Sequence, residues 1–148
     1  MDLEEKLYRE GFRISSFKTR VLSYLIDESF VLLLLIAIFY NQFLESNGKL
    51  VIIVEVLDNF LIAYFIIKLI YHTIFIYFYG KTMGKLIMRI RVVDIYLLDN
   101  PSLKNSFIRA VLRFLDESFF YVGMFYLFAN PFKQTIHDKL SDVVVVDD

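Results

Sequence analysis

Residues 21–40 read VLSYLIDESFVLLLLIAIFY, and Asp27 and Glu28 are the only charged residues in this run. A helix of about twenty residues, at ~1.5 Å per residue, crosses the ~30 Å hydrocarbon layer of a bilayer. A second run of the same kind, FLIAYFIIKLIYHTIFIYFY, covers residues 60–79. The sequence therefore predicts two full transmembrane helices, over about 21–40 and 55–79.

The composition agrees with a membrane protein. Of the 148 residues, 57 % are hydrophobic and 18 % aromatic, and the mean hydropathy is +0.55. Soluble domains contain roughly 45–50 % apolar residues. The chain has no cysteine and no basic cluster of the kind that binds nucleic acid. We expect the lipid bilayer to be its main partner, and we expect no nucleic acid, no cofactor, no metal site and no enzymatic activity.

A third segment, residues 103–129, is more polar and contains an uncharged part of only twelve residues, 118–129. This part is short for a span. Residues 89–94 and 143–146, which flank the segment, have the patterns of short strands. If these strands pair, the third segment must return to the side where it begins, as a shorter, re-entrant or interfacial helix. A full crossing would instead place the tail on the opposite side and keep the strands apart.

Lysines and arginines in short loops predict the orientation. They are frequent in residues 1–20 and 80–100, whereas the loop 41–50 contains only Lys49. We therefore expect residues 1–20 to be an N-terminal cytoplasmic or interfacial segment, followed by a single membrane domain over 21–148. The predicted fold is an all-α membrane protein with a small cytoplasmic two-stranded β pair.

An internal repeat is the most informative feature of the sequence. Residues 20–30 read RVLSYLIDESF, and residues 109–119 read RAVLRFLDESF. A carboxylate in the middle of a membrane helix costs about 2.5–3.5 kcal/mol on insertion scales. The acidic pair of each copy should therefore face the protein interior and find partners there.

We predict that these side chains form one buried polar cluster with the lysine and the histidine at matching depth in the second helix. Its members are Asp27, Glu28, Asp116, Glu117, His72 and Lys68. Arg113 precedes Asp116 and Glu117 by three and four residues, which allows local pairing. Arg20 and Arg109 are expected to anchor the helices at the level of the lipid headgroups.

Two functions fit this cluster. Asp27 and Asp116 would bind protons or small cations for transport, while His72 and Lys68 tune the pKa of the carboxyl groups. Alternatively, the buried charges are structural contacts in a module that assembles with itself or with a partner, because polar contacts hold membrane helices together. Three helical segments are few for a transport path, so both hypotheses favour a homo-oligomer.

Several motifs resemble the RDD family of bacterial membrane proteins. Arg20 and Asp27 match the family's first arginine and aspartate, and GKTMGKLIMRIRVVD at 80–94 is similar to its G-x-T-x-G-K…R-V-V-D signature. Arg109 matches a later arginine, and HDKLSDVVVV at 137–146, with Asp138, resembles the terminal segment. The resemblance covers about residues 15–146. It implies the bacterial cytoplasmic membrane and either transport of unknown ligands or cation/proton exchange.

Some details depart from the family or invite other interpretations. Ser141-Asp142 stands where the family usually has Gly-Thr. GKTMGK at 80–85 lacks the spacing of a phosphate loop, so its glycines are expected to shape the turn that leaves the membrane. His137-Asp138 is expected to be a hydrogen-bonded pair. Asp138 is expected to cap or anchor the tail against Lys85, Arg89 or Arg91.

Overall fold

Two long antiparallel helices dominate the computed structural model, which describes residues 3–118, 128 and 132–148. Helix α2 covers Phe17–Glu45 and helix α3 covers Leu50–Tyr79. Both are long and apolar enough to cross a membrane, as predicted. Both also extend beyond the predicted 21–40 and 55–79. The Ser16 side chain caps α2 by accepting from the Thr19 N–H at 3.3 Å, and so starts the helix four residues early.

The contact between α2 and α3 is apolar over most of its length. Val31, Leu35 and Phe39, spaced four residues apart on one face of α2, pack against Val56 and Tyr71 of α3. The remaining faces of both helices expose large apolar side chains. Such surfaces are unfavourable in water and suited to lipid. The two helices are therefore candidate membrane spans.

A small antiparallel sheet lies at the end of the pair where α2 begins and α3 ends. Strand β1, Ile90–Asp94, pairs with strand β2, Val143–Asp147, with Val92 opposite Val145. The predicted two-stranded pairing is confirmed. Helix α1, Leu3–Arg9, packs Leu7 on this sheet, and Ile14 forms a β-bridge with Val146.

The remaining helices attach to this same end. Helix α4, Met83–Ile87, packs on α2. Helix α5, Leu103–Ser118, packs on α3. Helix α6, Ile136–Leu140, packs on α5 just before β2. Of the predicted helix 103–129, the structure shows Leu103–Ser118; residues 119–127 and 129 lie outside the described ranges.

The third segment begins and ends at the same end of the helix pair. The side chain of Asn105, in the first turn of α5, donates to Asp94 of β1 at 3.3 Å. The Phe128 ring centroid lies 5.2 Å from that of Phe17, in the first turn of α2. The contacts of Asn105 and Phe128 therefore agree with the prediction that the third segment returns to the side where it begins.

Candidate functional site

Asp27 joins the two long helices to α4. Its Oδ1 accepts hydrogen bonds from the Tyr71 hydroxyl and the Gly84 backbone N–H, both at 2.8 Å. Its Oδ2 accepts from the Thr82 hydroxyl at 2.6 Å. The carboxylate is 1 % exposed. Three donors compensate the burial of this charge, and they fix the GKTMGK segment against α2.

The two glycines of GKTMGK have separate roles in this docking. Gly80 ends α3 in the left-handed conformation, at φ +64°, which glycine adopts without strain. Gly84 lies so close to α2 that an added Cβ would be 2.0 Å from the Ser23 carbonyl oxygen. The prediction that these glycines shape the turn leaving α3 agrees with this geometry.

Lys68 lies between two carboxylates. Its Nζ is 2.7 Å from Glu28 Oε2 and 2.6 Å from Glu117 Oε2, and it also donates to the Tyr64 hydroxyl at 2.7 Å. The other oxygen of Glu117 accepts from Arg113 Nε at 3.3 Å. Lys68 is 5 % exposed. This charged network ties α2, α3 and α5 together at one depth.

Asp138 binds two arginines. Its Oδ1 lies 2.8 Å from Arg109 Nη2, and its Oδ2 lies 3.4 Å from Arg20 Nη1. It also caps α6 through a reciprocal pair of hydrogen bonds with Thr135. Burial alone raises the pKa of Asp138, but Arg109, His137 and Arg20 outweigh it and hold the pKa below its usual range.

These contacts, together with the position of His137, correct three predictions. Arg20 and Arg109 do not reach lipid headgroups, because both are buried against Asp138, at 8 % and 4 % exposed. Asp138 caps the tail helix as predicted, but its cationic partners are these two arginines and not Lys85, Arg89 or Arg91. The predicted hydrogen bond between His137 and Asp138 is also wrong, because His137 Nε2 lies 3.8 Å from Asp138 Oδ1.

Comparison with known proteins identifies the family of this chain. The sequence profile of the RDD family matches residues 14–142. The chain belongs to the RDD family. The RDD chain is also similar to an uncharacterized protein of Rickettsia prowazekii (strain Madrid E), with 33 % identity over 76 residues. That alignment covers 51 % of this chain and 42 % of the relative, so the match spans less than half of the relative's length. No solved structure matches.

The structure explains the internal repeat of this RDD chain by shared partners. The first residues of the two copies, Arg20 and Arg109, both bind Asp138. The glutamates of the two copies, Glu28 and Glu117, both bind Lys68. The repeat therefore presents two matching helix faces to one aspartate and one lysine.

Lys68 forms no ion pair with the other members of the predicted cluster among the described residues, although His72 lines the same groove. Asp27 binds Tyr71, Thr82 and Gly84, as described above. Asp116 Oδ2 lies 3.6 Å from His137 Nδ1. His72 is 4 % exposed, and neither of its ring nitrogens has a hydrogen-bond partner within residues 3–118, 128 and 132–148. The single predicted cluster is thus three neighbouring groups, centred on Asp27, Lys68 and Asp138.

Two residues of the RDD site escaped sequence reasoning, and a third, Lys85, was expected only as a partner of Asp138. Tyr71 and Thr82 bind Asp27, and Lys85 is 5 % exposed with no hydrogen bond or ion pair to any described residue. Burial, Arg113 and Arg109 lower the pKa of Lys85 to about 7. Thr82 and Lys85 belong to the GKTMGK motif, and this motif was the sequence feature that could have identified them as site residues. No periodicity distinguishes Tyr71 from its aromatic neighbours.

Removal of one of the hydrogen-bond donors to Asp27 tests the group centred on this residue. Tyr71→Phe should lower the free energy of unfolding by about 1–3 kcal/mol, since it leaves a buried charged acceptor short of one hydrogen bond. Tyr79→Phe, on the exposed end of the same helix, is the matched control and should change stability by less than ~0.5 kcal/mol. Denaturant titration in mild detergent micelles measures both. Equal stabilities of the two variants would contradict the role assigned to Tyr71.

Proposed function

We propose that this RDD protein moves protons or small cations across the bacterial cytoplasmic membrane, with Lys68, Glu28 and Glu117 as the exchange site. The observation that supports the proposal is the burial of Lys68, in one candidate span, between Glu28 of the other candidate span and Glu117 of α5. A buried ion pair is often no more stable than apolar residues of similar volume. Ionisable residues within membrane helices are therefore read first as functional.

Protonation of a glutamate is the elementary step of this proposal. A proton on Glu28 or Glu117 neutralises that carboxylate and weakens its attraction to the Lys68 ammonium group. The neutral carboxyl group can later release this proton to the other side of the exchange site, and the carboxylate that results can bind Lys68 again or take up a small cation. A groove of about 300 Å³ between α3 and α5 reaches Lys68 and Glu117 and gives access to them from one side. This role assigns no enzymatic reaction to the chain.

A homo-oligomer completes the path in this proposal. Beyond Glu28, the contact between α2 and α3 consists of apolar side chains such as Val31, Leu35 and Phe39. One copy of the two helices therefore offers no polar route through the far half of the span within the described residues. A second copy would cover the apolar walls of the groove and line the route. The N-terminus, the 80–100 segment and the C-terminal strand, which share one end of the helices, would be cytoplasmic.

A second candidate function is a module for assembly in the membrane, in which the buried charges are structural. The observation in its favour is the complete engagement of Asp27 and Asp138, each by several donors. Such carboxylates hold elements together and leave little capacity for a transported cation. The two candidates differ in whether the Lys68 group exchanges ions.

Ion flux in reconstituted vesicles separates the two candidates. The double variant Glu28→Gln with Glu117→Gln keeps hydrogen-bonding side chains but removes both charges next to Lys68. We expect wild-type vesicles to dissipate an imposed pH or cation gradient faster than empty vesicles, and the double variant to be at least tenfold slower, since charge at the exchange site is required.

Glu55→Gln, at an exposed position of α3, is the control and should keep wild-type flux. Wild-type vesicles that are no faster than empty ones would remove the transport proposal. So would wild-type flux in a folded double variant, which would favour the assembly module.

A further inference from the structure

A small cavity lies where α2, α4, α5 and α6 meet, next to the three groups described above. The charged residues that line it are the cations Lys85, Arg113, Arg20 and Arg109 and the carboxylates Asp116, Glu117 and Asp138. Its volume is about 40 Å³. A buried water needs about 10–15 Å³ on this measure, so the cavity has room for about three waters or one small ion.

Two of the four lysine and arginine side chains that line this cavity, Lys85 and Arg113, have unused hydrogen-bond donors. Lys85 is 5 % exposed, and its ammonium group has no hydrogen bond or ion pair in the described part of the chain. Arg113 is 7 % exposed and donates to Glu117 through Nε, while its two terminal nitrogens donate to none of the described residues. Buried polar groups usually have hydrogen-bond partners, and an arginine has five N–H donors and a lysine three.

Asp116, Glu117 and Asp138 line the cavity, Asp27 lies beside it, and each of these carboxylates is close to cations or donors other than Lys85. Asp138 binds Arg20 and Arg109, Glu117 binds Lys68 and Arg113, and Asp116 lies 3.6 Å from His137. Asp27 accepts its three hydrogen bonds from other groups.

Lys85 therefore lacks a counter-charge within ion-pairing distance among these residues. This agrees with the lowering of its pKa to about 7 by burial and by Arg113 and Arg109. A bound anion would supply the missing charge.

We propose that this cavity is a binding site for a small monovalent anion of the size of chloride, held between the Lys85 ammonium and the Arg113 guanidinium groups. The cavity is too small for a phosphodiester headgroup, so a lipid is not the ligand. The proposal goes beyond ion exchange at Lys68 and does not depend on it.

Chloride binding to the full chain in detergent micelles tests this proposal. Chlorine NMR line broadening reports bound chloride directly, with gluconate replacing chloride at constant ionic strength. Wild-type protein should give saturable broadening, and Lys85→Met should bind at least tenfold more weakly. Because Lys85 has no partner in the described residues, its replacement by methionine should not prevent folding; in gluconate the variant should melt at or above the wild-type temperature.

Lys81→Met is the matched control, since Lys81 belongs to the same GKTMGK motif but is partly exposed and pairs with Asp148. It should bind chloride as the wild type does. Sulfate, which is larger and divalent, should bind at least tenfold more weakly than chloride. Equal chloride binding by Lys85→Met and the wild type, an absence of saturable binding in the wild type, or equal binding of sulfate would each overturn the proposal.

Discussion

Gly84→Ala is expected to lower the free energy of unfolding by about 3 kcal/mol or more, because the new methyl group would collide with the backbone of α2. Its Cβ would lie 2.0 Å from the Ser23 carbonyl oxygen and 2.9 Å from Asp27 Cγ. Overpacking of a filled site costs about 1–3 kcal/mol, occasionally more. Separation of α4 from α2 would also break the hydrogen bond from Gly84 to Asp27, at about 1–3 kcal/mol for an unsatisfied buried group.

Denaturant titration in detergent micelles measures this loss. Leu86→Ala is the control on the same short helix, because Leu86 is 54 % exposed and its truncation should change stability by less than ~0.5 kcal/mol. If Gly84→Ala were as stable as this control, α4 would not be packed against α2 as the structure shows.

Asp138→Asn is expected to destabilise the protein by about 3–5 kcal/mol, because it leaves two buried arginines without their shared counter-charge. Asparagine has nearly the same shape and retains an oxygen for the cap of α6. The expected loss therefore comes from the charge that Arg20 and Arg109 share.

The pH dependence of the wild type provides a second measurement of the same contact. Because the pKa of Asp138 is held below its usual range, its contribution is present above the unfolded-state pKa of about 3.9 and is lost as pH falls through the lower folded-state pKa. Asp138→Asn should lack this acid-dependent loss.

Asp142→Asn, four residues later in a turn at φ +52°, is the control and should stay within ~0.5 kcal/mol of the wild type. An Asp138→Asn variant as stable as this control would show that the two arginines have another partner.

The elements that sequence reasoning identified are those with strong local signals. Hydropathy located both long helices, and the four valines of β2 with the alternating pattern of β1 predicted the strand pair. The helix ends were less accurate, because hydropathy marks the apolar run and does not register the local hydrogen bonds, such as the cap at Ser16, that fix where a helix begins.

Only part of the site could be predicted, because several of its contacts depend on tertiary packing. The repeat indicated that Glu28 and Glu117 need buried partners, which agrees with their contacts with Lys68, whereas Arg20 and Arg109 were expected at the lipid headgroups. It could not indicate that both arginines would share Asp138, which lies outside the repeat, because that contact depends on how the tail packs against α5. The burial of Lys85 could not be predicted from the sequence around it, because residues from four separate helices surround it.

The bond between Arg20 and Asp138 has a consequence for biosynthesis. The two residues are 118 positions apart in the chain. At about 5–20 residues per second, a ribosome needs roughly 6–24 s to make the intervening polypeptide. The second candidate span is complete at Tyr79, so during the second half of that interval both long helices exist while Arg20 still lacks Asp138. We expect the new chain to be most vulnerable to quality-control proteases until Asp138 has been made.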